Sequence, residues 1–305
     1  MPADILGVGH CCQDSICLIE DYPQEDGSTH ILQIDDTQGG GAVATAMVAA
    51  ARLGAGTGII TNLGSDDIGD KILDGFRREG VDTGLVKRIP GGRSPSSIVM
   101  VNSKTGSRTK FPYRDGLPDI EWTDGVRRTL ETAKVLHLDG TQYHNALAAA
   151  RLAKELGLTV SLDACSMQTD NRDNLVLAGM ADILIADARY PLRLTRKATM
   201  EEALLEMAGL GAQVVAATMG RDGCYFVQGG RVRHLPAFRV DVADTTGAGD
   251  TFHGAFLAQW LRGCETEDCL RFAAAAAALK CLRYGGRVGI PTREATERFL
   301  AGRGL

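Results

Sequence analysis

The string Asp244-Thr-Thr-Gly-Ala-Gly-Asp250 carries the most specific chemistry in the chain. Gly247, Ala248 and Gly249 allow a sharp turn that leaves backbone N–H groups unobstructed. The helical pattern beginning near Asp250 places those groups at a helix N-terminus, where they stabilise an anion. A carboxylate at the same place makes poor sense as part of an anion site, because like charges oppose each other. It makes sense as a base. Asp250 would take the proton of an attacking hydroxyl, while the three preceding amides stabilise charge on a transferring phosphoryl group. An acidic N-cap after a glycine loop would account for Asp250 alone, but not for the whole string.

The elements that must position this string read as βαβ units, because short apolar runs alternate with longer helical patterns. Ile5-Leu-Gly-Val begins as a strand, and Gly39-Gly-Gly reads as a turn opening an alanine-rich helix that Gly54 ends. A strand from Gly58 to Gly64 and a helix from Gly69 to Gly80 follow. Four more core strands are expected at Val135 to Asp139, Thr159 to Asp163, Asp182 to Ala186 and Gln213 to Thr218. Ligands of open α/β sheets gather at the carboxyl edge. Asp139, Asp163 and Thr218 are therefore candidates by position, with ordinary helix caps as the alternative. Ser96 to Pro112 reads instead as an antiparallel hairpin around Lys104-Thr-Gly-Ser. It has no natural place inside a doubly wound sheet. With the stretch near 11–36, which lacks a helical period, it predicts a small β-rich lid from two insertions, about 11–36 and 91–115, on a single domain spanning 1–305. The block Phe272 to Leu279 reads as a closely packed helix.

A hydrophobic fraction of 44% and a charged fraction of 23% are those of a folded enzyme. The net charge of -5 provides no basic surface for a phosphodiester backbone, so no nucleic-acid partner is expected. The eight cysteines show no zinc-ligand spacing. They read as free thiols in a reducing cytoplasm, with Cys11 and Cys12 as small buried side chains. No run reaches the roughly 18 apolar residues of a membrane span, and the N-terminus lacks a basic region followed by an apolar core. A soluble cytoplasmic protein without a membrane partner is expected. Gly7-Val-Gly9 suggests a dinucleotide fingerprint, but Cys12 stands where its third glycine belongs.

The Asp250 string, with Phe252 and Gly254-Ala-Phe256 after it, resembles the second signature of the ribokinase-like (PfkB) carbohydrate kinases. The likeness continues in Gly39-Gly-Gly ahead of Arg52-Leu-Gly54, in Asn62-Leu-Gly-Ser-Asp-Asp-Ile-Gly69, in Val81-Asp82, in Ala217-Thr-Met-Gly-Arg-Asp-Gly223 and in Gly289-Ile-Pro-Thr292. It implies a doubly wound, mostly parallel α/β sheet flanked by helices, a β-rich lid, ATP with Mg²⁺ as donor, and a sugar held between lid and sheet. By position, Asp250 becomes the base and Gly247, Ala248 and Gly249 the anion hole. Thr218, Gly220 and Gly223 become the nucleotide loop, with Ala277 and Cys281 on a helix beside the adenine. Asp187 retains an acidic group in the segment associated with Mg²⁺ and phosphate. Asp14, Gly40, Gly41, Ser97 and Asp139 fall on the sugar side, with Asp14 accepting hydrogen bonds from sugar hydroxyls. Asp244 and Thr246 fall where some members hold a monovalent cation, K⁺.

Two positions depart from the family. Ala44 stands where an Asn often binds the sugar, and Asp187-Ala-Arg-Tyr190 replaces an Asn-x-x-Glu motif. Gly39 to Ala46 and Ala278 to Pro291 most resemble the sulfofructose kinase branch. That likeness implies a ketose acceptor such as fructose or 6-deoxy-6-sulfofructose. A sulfonate would need cations, for which Arg93, Arg108, Lys110 and Arg114 are candidates, with plain solvation as the alternative. Ribokinase, sugar-acid and nucleoside kinase activities of the same family remain open, as does a non-catalytic sugar sensor. His253 points back over the turn of Asp250 and reads as packing. The exposed edge of the lid favours a homodimer joined there.

Overall fold

The computed structural model describes residues 3–113 and 116–304. Strand β1 (Ile5–Val8) leads into the antiparallel pair β2 (Cys12–Ile19) and β3 (Ile31–Gly40), then helix α1 (Ala42–Arg52), strand β4 (Thr57–Gly64), helix α2 (Asp67–Arg78) and strand β5 (Asp82–Ile89). A second antiparallel pair follows, β6 (Ser96–Asn102) and β7 (Arg108–Tyr113). The alternation resumes with α3 (Asp124–Leu130), β8 (Val135–Leu138), α4 (Tyr143–Glu155), β9 (Thr159–Ala164), α5 (Asn171–Ala178) and β10 (Ile183–Asp187). Helices α6 (Tyr190–Thr195) and α7 (Met200–Ala208) precede β11 (Val214–Thr218) and the hairpin β12 (Cys224–Gln228) and β13 (Arg231–Leu235). Helices α8 (Ala248–Trp260), α9 (Thr266–Lys280) and α10 (Arg293–Ala301) end the chain.

The strands form a nine-stranded sheet, β13-β12-β11-β10-β9-β8-β1-β4-β5, and a four-stranded one, β3-β2-β6-β7. In the large sheet β12 alone runs against the rest, pairing antiparallel with both β11 and β13, and all other neighbours pair in parallel. Alternate residues of its strands feed two apolar layers. Ile5, Val135 and Ile183 face α1, α8 and α9, whereas Leu6, Leu136 and Leu184 face α4 and α7. The chain builds outward from β1 to β4 and β5, then crosses to β8 on the other side. That reversal opens a crevice at the carboxyl ends of β1 and β8. No helix among the described residues is long and apolar enough to cross a membrane.

Three local differences from the sequence reading have physical causes. Gly39 and Gly40 belong to β3 rather than to a turn, and Gly41 alone turns the chain, with φ of 97°. The helix expected near Asp250 starts at Ala248, with Gly247 as its left-handed N-cap. The strands β5, β12 and β13 have no counterpart in that reading. β5 is a half-exposed edge strand, and the β12–β13 turn is Gly229-Gly230, both at positive φ, a legible hairpin signal.

Helices α1 and α8 touch through small residues. A Cβ on Gly254 would overlap the Ala46 carbonyl and the Ala49 methyl, and both helices are buried at the contact. Gly254→Ala is therefore expected to cost about 1–3 kcal/mol by overpacking, measured as a loss of unfolding free energy in urea.

Candidate active site

At the crevice the chain leaves β8 through Asp139, which is wholly buried. Its Oδ2 accepts from the amides of His10 at 2.9 Å and Val43 at 3.4 Å, and its Oδ1 from Thr141 at 2.9 Å. Asp139 thus braces the exits of β1 and β8 against the start of α1. This bracing role is distinct from the sugar contact expected for it. Ala44 is likewise wholly buried in α1.

The small sheet supplies the rim. Strand pairing sets Asp14 beside Ser97, and strand alternation then puts Asp14, Ser97, Arg108 and Lys110 on one face and Ile98, Met100 and Phe111 on the other. A Cβ on Gly40 would overlap the Asp14 carboxylate, and one on Gly41 would overlap the His10 carbonyl. The four sugar-side residues Asp14, Gly40, Gly41 and Ser97 are therefore brought together.

Asp250 lies in the first turn of α8. The Ala248 amide donates to the Thr245 carbonyl at 3.2 Å and closes the turn. No protein acceptor for the Gly247 and Gly249 amides is found among the described residues, as the start of a helix requires. Of the three amides expected in the anion hole, two are thus left without a protein acceptor among the described residues. Burial pushes the Asp250 carboxyl up to about 7, and the Asp163 charge adds to it. His253 and Lys110 oppose the rise, and Asp139 reinforces it.

The network beneath Asp250 gives roles to His253, read from the sequence as packing, and to Asp163, a candidate there only by position. His253 Nε2 lies 3.2 Å from Asp163 Oδ1, with both side chains buried. Burial would raise Asp163, but the charge and hydrogen bond of His253 prevail and hold it below the usual carboxylate range. The His253 ring lies 5.5 Å from that of His137. Burial, reinforced by His253, pushes His137 down to about 3, and its Nδ1 meets Ser161 Oγ at 3.1 Å. The signal for His253 was its spacing of three residues from Asp250 on one helix. The signal for Asp163 was its strand-end position.

On the other side of Gly249 opens a cavity of about 470 Å³, lined by Thr218, Gly220, Gly223, Ala277 and Cys281. It joins five of the six residues expected at the nucleotide to the Asp250 turn. Ala274, Ala277 and Ala278 form a wall without long side chains. Gly223 has φ of 97°, and a Cβ there would overlap the Leu235 carbonyl. Asp187 is not part of this lining. Its Oδ1 accepts from the Arg189 and Tyr190 amides, both at 2.9 Å, so it caps the turn after β10.

Asp244 and Thr246 lie where the small sheet meets the Asp250 loop. Asp244 Oδ1 accepts from the Thr246 amide at 2.8 Å and hydroxyl at 2.7 Å, and Oδ2 from the Gly285 amide at 2.9 Å. Arg108 of β7 reaches Thr246 Oγ1 at 2.7 Å, and Lys280 Nζ donates to the Asp244 carbonyl at 2.9 Å. Arg108 is thus committed away from the sugar, and Arg93 stacks 5.4 Å from the centre of the Tyr113 ring. Arg114 lies outside the described residues.

The family described as pfkB family carbohydrate kinase matches residues 3–293. The ATP-dependent ribose-1-phosphate kinase of Halopiger xanaduensis is 30% identical over 303 residues, 98% of either chain. The ribokinase of Haemophilus influenzae is 30% identical over 277 residues, 86% of this chain and 87% of that one. The solved structure of Arabidopsis thaliana ribokinase complexed with ribose and ATP superposes with a TM-score of 0.86 at 26% identity, covering 98% of this chain and 99% of that one. The family match spans both sheets and the turn that carries Asp250, so the chain belongs to the pfkB carbohydrate kinases and is a kinase of sugars or nucleosides.

Proposed function

We propose that the protein transfers the γ-phosphoryl group of ATP to a hydroxyl of a small sugar, with Asp250 as the base. The observation that carries this reading is a carboxyl raised to about 7 between the rim around Asp14 and the cavity beyond Gly249. A base works best with a pKa near the working pH. The polyol donates to Asp14 and Ser97, and the reacting hydroxyl gives its proton to Asp250. ATP held in the cavity beyond Gly249 would supply the phosphoryl group, and Mg²⁺ bound with it would neutralise phosphate charge. Mg²⁺ takes most of its ligands from phosphates and water, which suits a cavity with no acidic residue among its described lining. The amides of Gly247 and Gly249 hold charge that develops on the phosphoryl oxygens. Lys110, on the inward face of the small sheet, adds a positive charge and helps the sheet exclude water.

The acceptor we favour is a ketose of the fructose type, on the likeness of Gly39 to Ala46 and Ala278 to Pro291 to the sulfofructose kinase branch. Neutral fructose suits the site better than its 6-sulfonate, because Arg93 and Arg108 are engaged elsewhere. Ribose and ribose 1-phosphate are the competing acceptors. Ile34, Ile98 and Phe111 are 62%, 47% and 55% exposed on the outer face of the small sheet, which supports a homodimer formed there.

Assays of ATP-dependent phosphorylation across fructose, 6-deoxy-6-sulfofructose, ribose, ribose 1-phosphate and adenosine should give turnover with one preferred sugar. ATP binding without turnover on any of them would favour the sensor. Asp250→Asn should lower kcat by roughly 10²–10⁴-fold while ATP binding, measured by calorimetry, is kept. The base must be ionised, so kcat/KM should fall as pH drops through about 7. Asp163→Asn removes the larger of the two charges that Asp163 and His253 place on Asp250. Its acid limb should therefore move to lower pH in the same assay.

A further inference from the structure

The family likeness implies a dissolved monovalent cation at Asp244 and Thr246, yet the residues there already carry cations of their own. Lys280 is the last residue of α9, and its side chain is wholly buried. Its Nζ lies 2.9 Å from the Asp244 carbonyl. Burial pulls the Lys280 pKa down and the Arg108 charge adds to that pull, while the Asp244, Cys281 and Asp250 charges act against it. The groups around it nevertheless present oxygens to one positive charge. The end of α9 concentrates carbonyl oxygens, and the Cys281 carbonyl binds the Ala243 and Asp244 amides at 2.8 and 3.2 Å.

The donor set does not fit an added ion. The Asp244 carbonyl serves Lys280, and both Asp244 carboxylate oxygens serve Thr246 and Gly285. Arg108 covers the Thr246 hydroxyl and stands 3.6 Å from Asp244 Oδ1. A further cation among these groups would meet two fixed charges of its own sign, those of Lys280 and Arg108.

We propose that the Lys280 ammonium is a built-in monovalent cation, fixed by its covalent chain where a potassium ion would otherwise hold the loop from Asp244 to Gly247. An ammonium is a compact point charge with three donors, so it can order carbonyl oxygens as an alkali ion does. The loop that presents Asp250 is then set without any ion from solution.

The test exchanges potassium chloride for tetramethylammonium chloride at constant ionic strength. It reads the melting temperature of the full chain without nucleotide, and separately the turnover of the preferred acceptor. The wild type should respond in neither. Lys280→Ala should melt lower in tetramethylammonium and regain a few degrees when potassium or ammonium chloride is supplied, as a ligand selective for the folded state does. Its turnover should fall on the order of tenfold, a change of about 1.4 kcal/mol in barrier, and recover in part with the same ions. A wild type whose melting temperature or turnover rises with potassium overturns the proposal, and so does a folded Lys280→Ala chain indifferent to both ions. If the variant does not fold, the wild-type measurements decide. Only the turnover arm rests on the kinase reading. Absence of turnover on every acceptor would fail that reading and leave the melting arm standing.

Discussion

Three carboxylates converge on the carboxyl edge of one parallel sheet, and the way each is compensated organises the rest of the structure. A buried carboxylate needs hydrogen bonds or an opposite charge. Asp139 is served by three backbone amides, and Asp163 by His253. Among the described residues Asp250 has no comparable partner, and burial with the Asp163 charge raises its pKa. The residue left uncompensated is the one positioned to exchange a proton. The same contacts hold β1, α1, β8 and α8 in register, so the fold and the reactivity of the base share their supports.

The cations are arranged around the opposite flank. Arg108 spans from the small sheet to the Asp250 loop, Lys280 fixes that loop from below, and Arg287 is buried against the Gly40 carbonyl and Thr45. The Arg287 guanidinium occupies the space that a side chain on Gly39 would need. The glycines of this region thus serve close approach by charged groups, and Gly41 and Gly247 additionally need positive φ. Small residues between α1 and α8 bring the base within reach of Asp163, because they let the two helices settle close to the sheet.

The family, the parallel core and the identity of the base were legible because each is written in contiguous residues. The Asp250 string combines a turn, a helix start and a carboxylate, and that combination has few other uses. The core strands were legible as short apolar runs buried on both faces. The outer strands were not, since the edge strand β5 alternates with half-exposed residues and β12 and the edge strand β13 are short and partly polar. The nucleotide-side glycines could be placed from their motif, but the capping use of Asp187 and the bracing use of Asp139 depended on which amides lay within reach.

By itself the sequence determined the order of most core elements, the presence of a small β-rich lid apart from the main sheet, and the residue able to act as a base. These follow from local periodicity and from chemistry carried by neighbouring residues. Only the tertiary structure decided how charges separated by many residues meet. Asp163 found His253, Arg108 found Thr246, and Lys280 found Asp244 across 90, 138 and 36 positions of chain. Such pairings arise from strand order and helix packing, and no local pattern records them. They set the pKa of Asp250 and the cation of its loop, because electrostatic interactions depend on distance and burial in space.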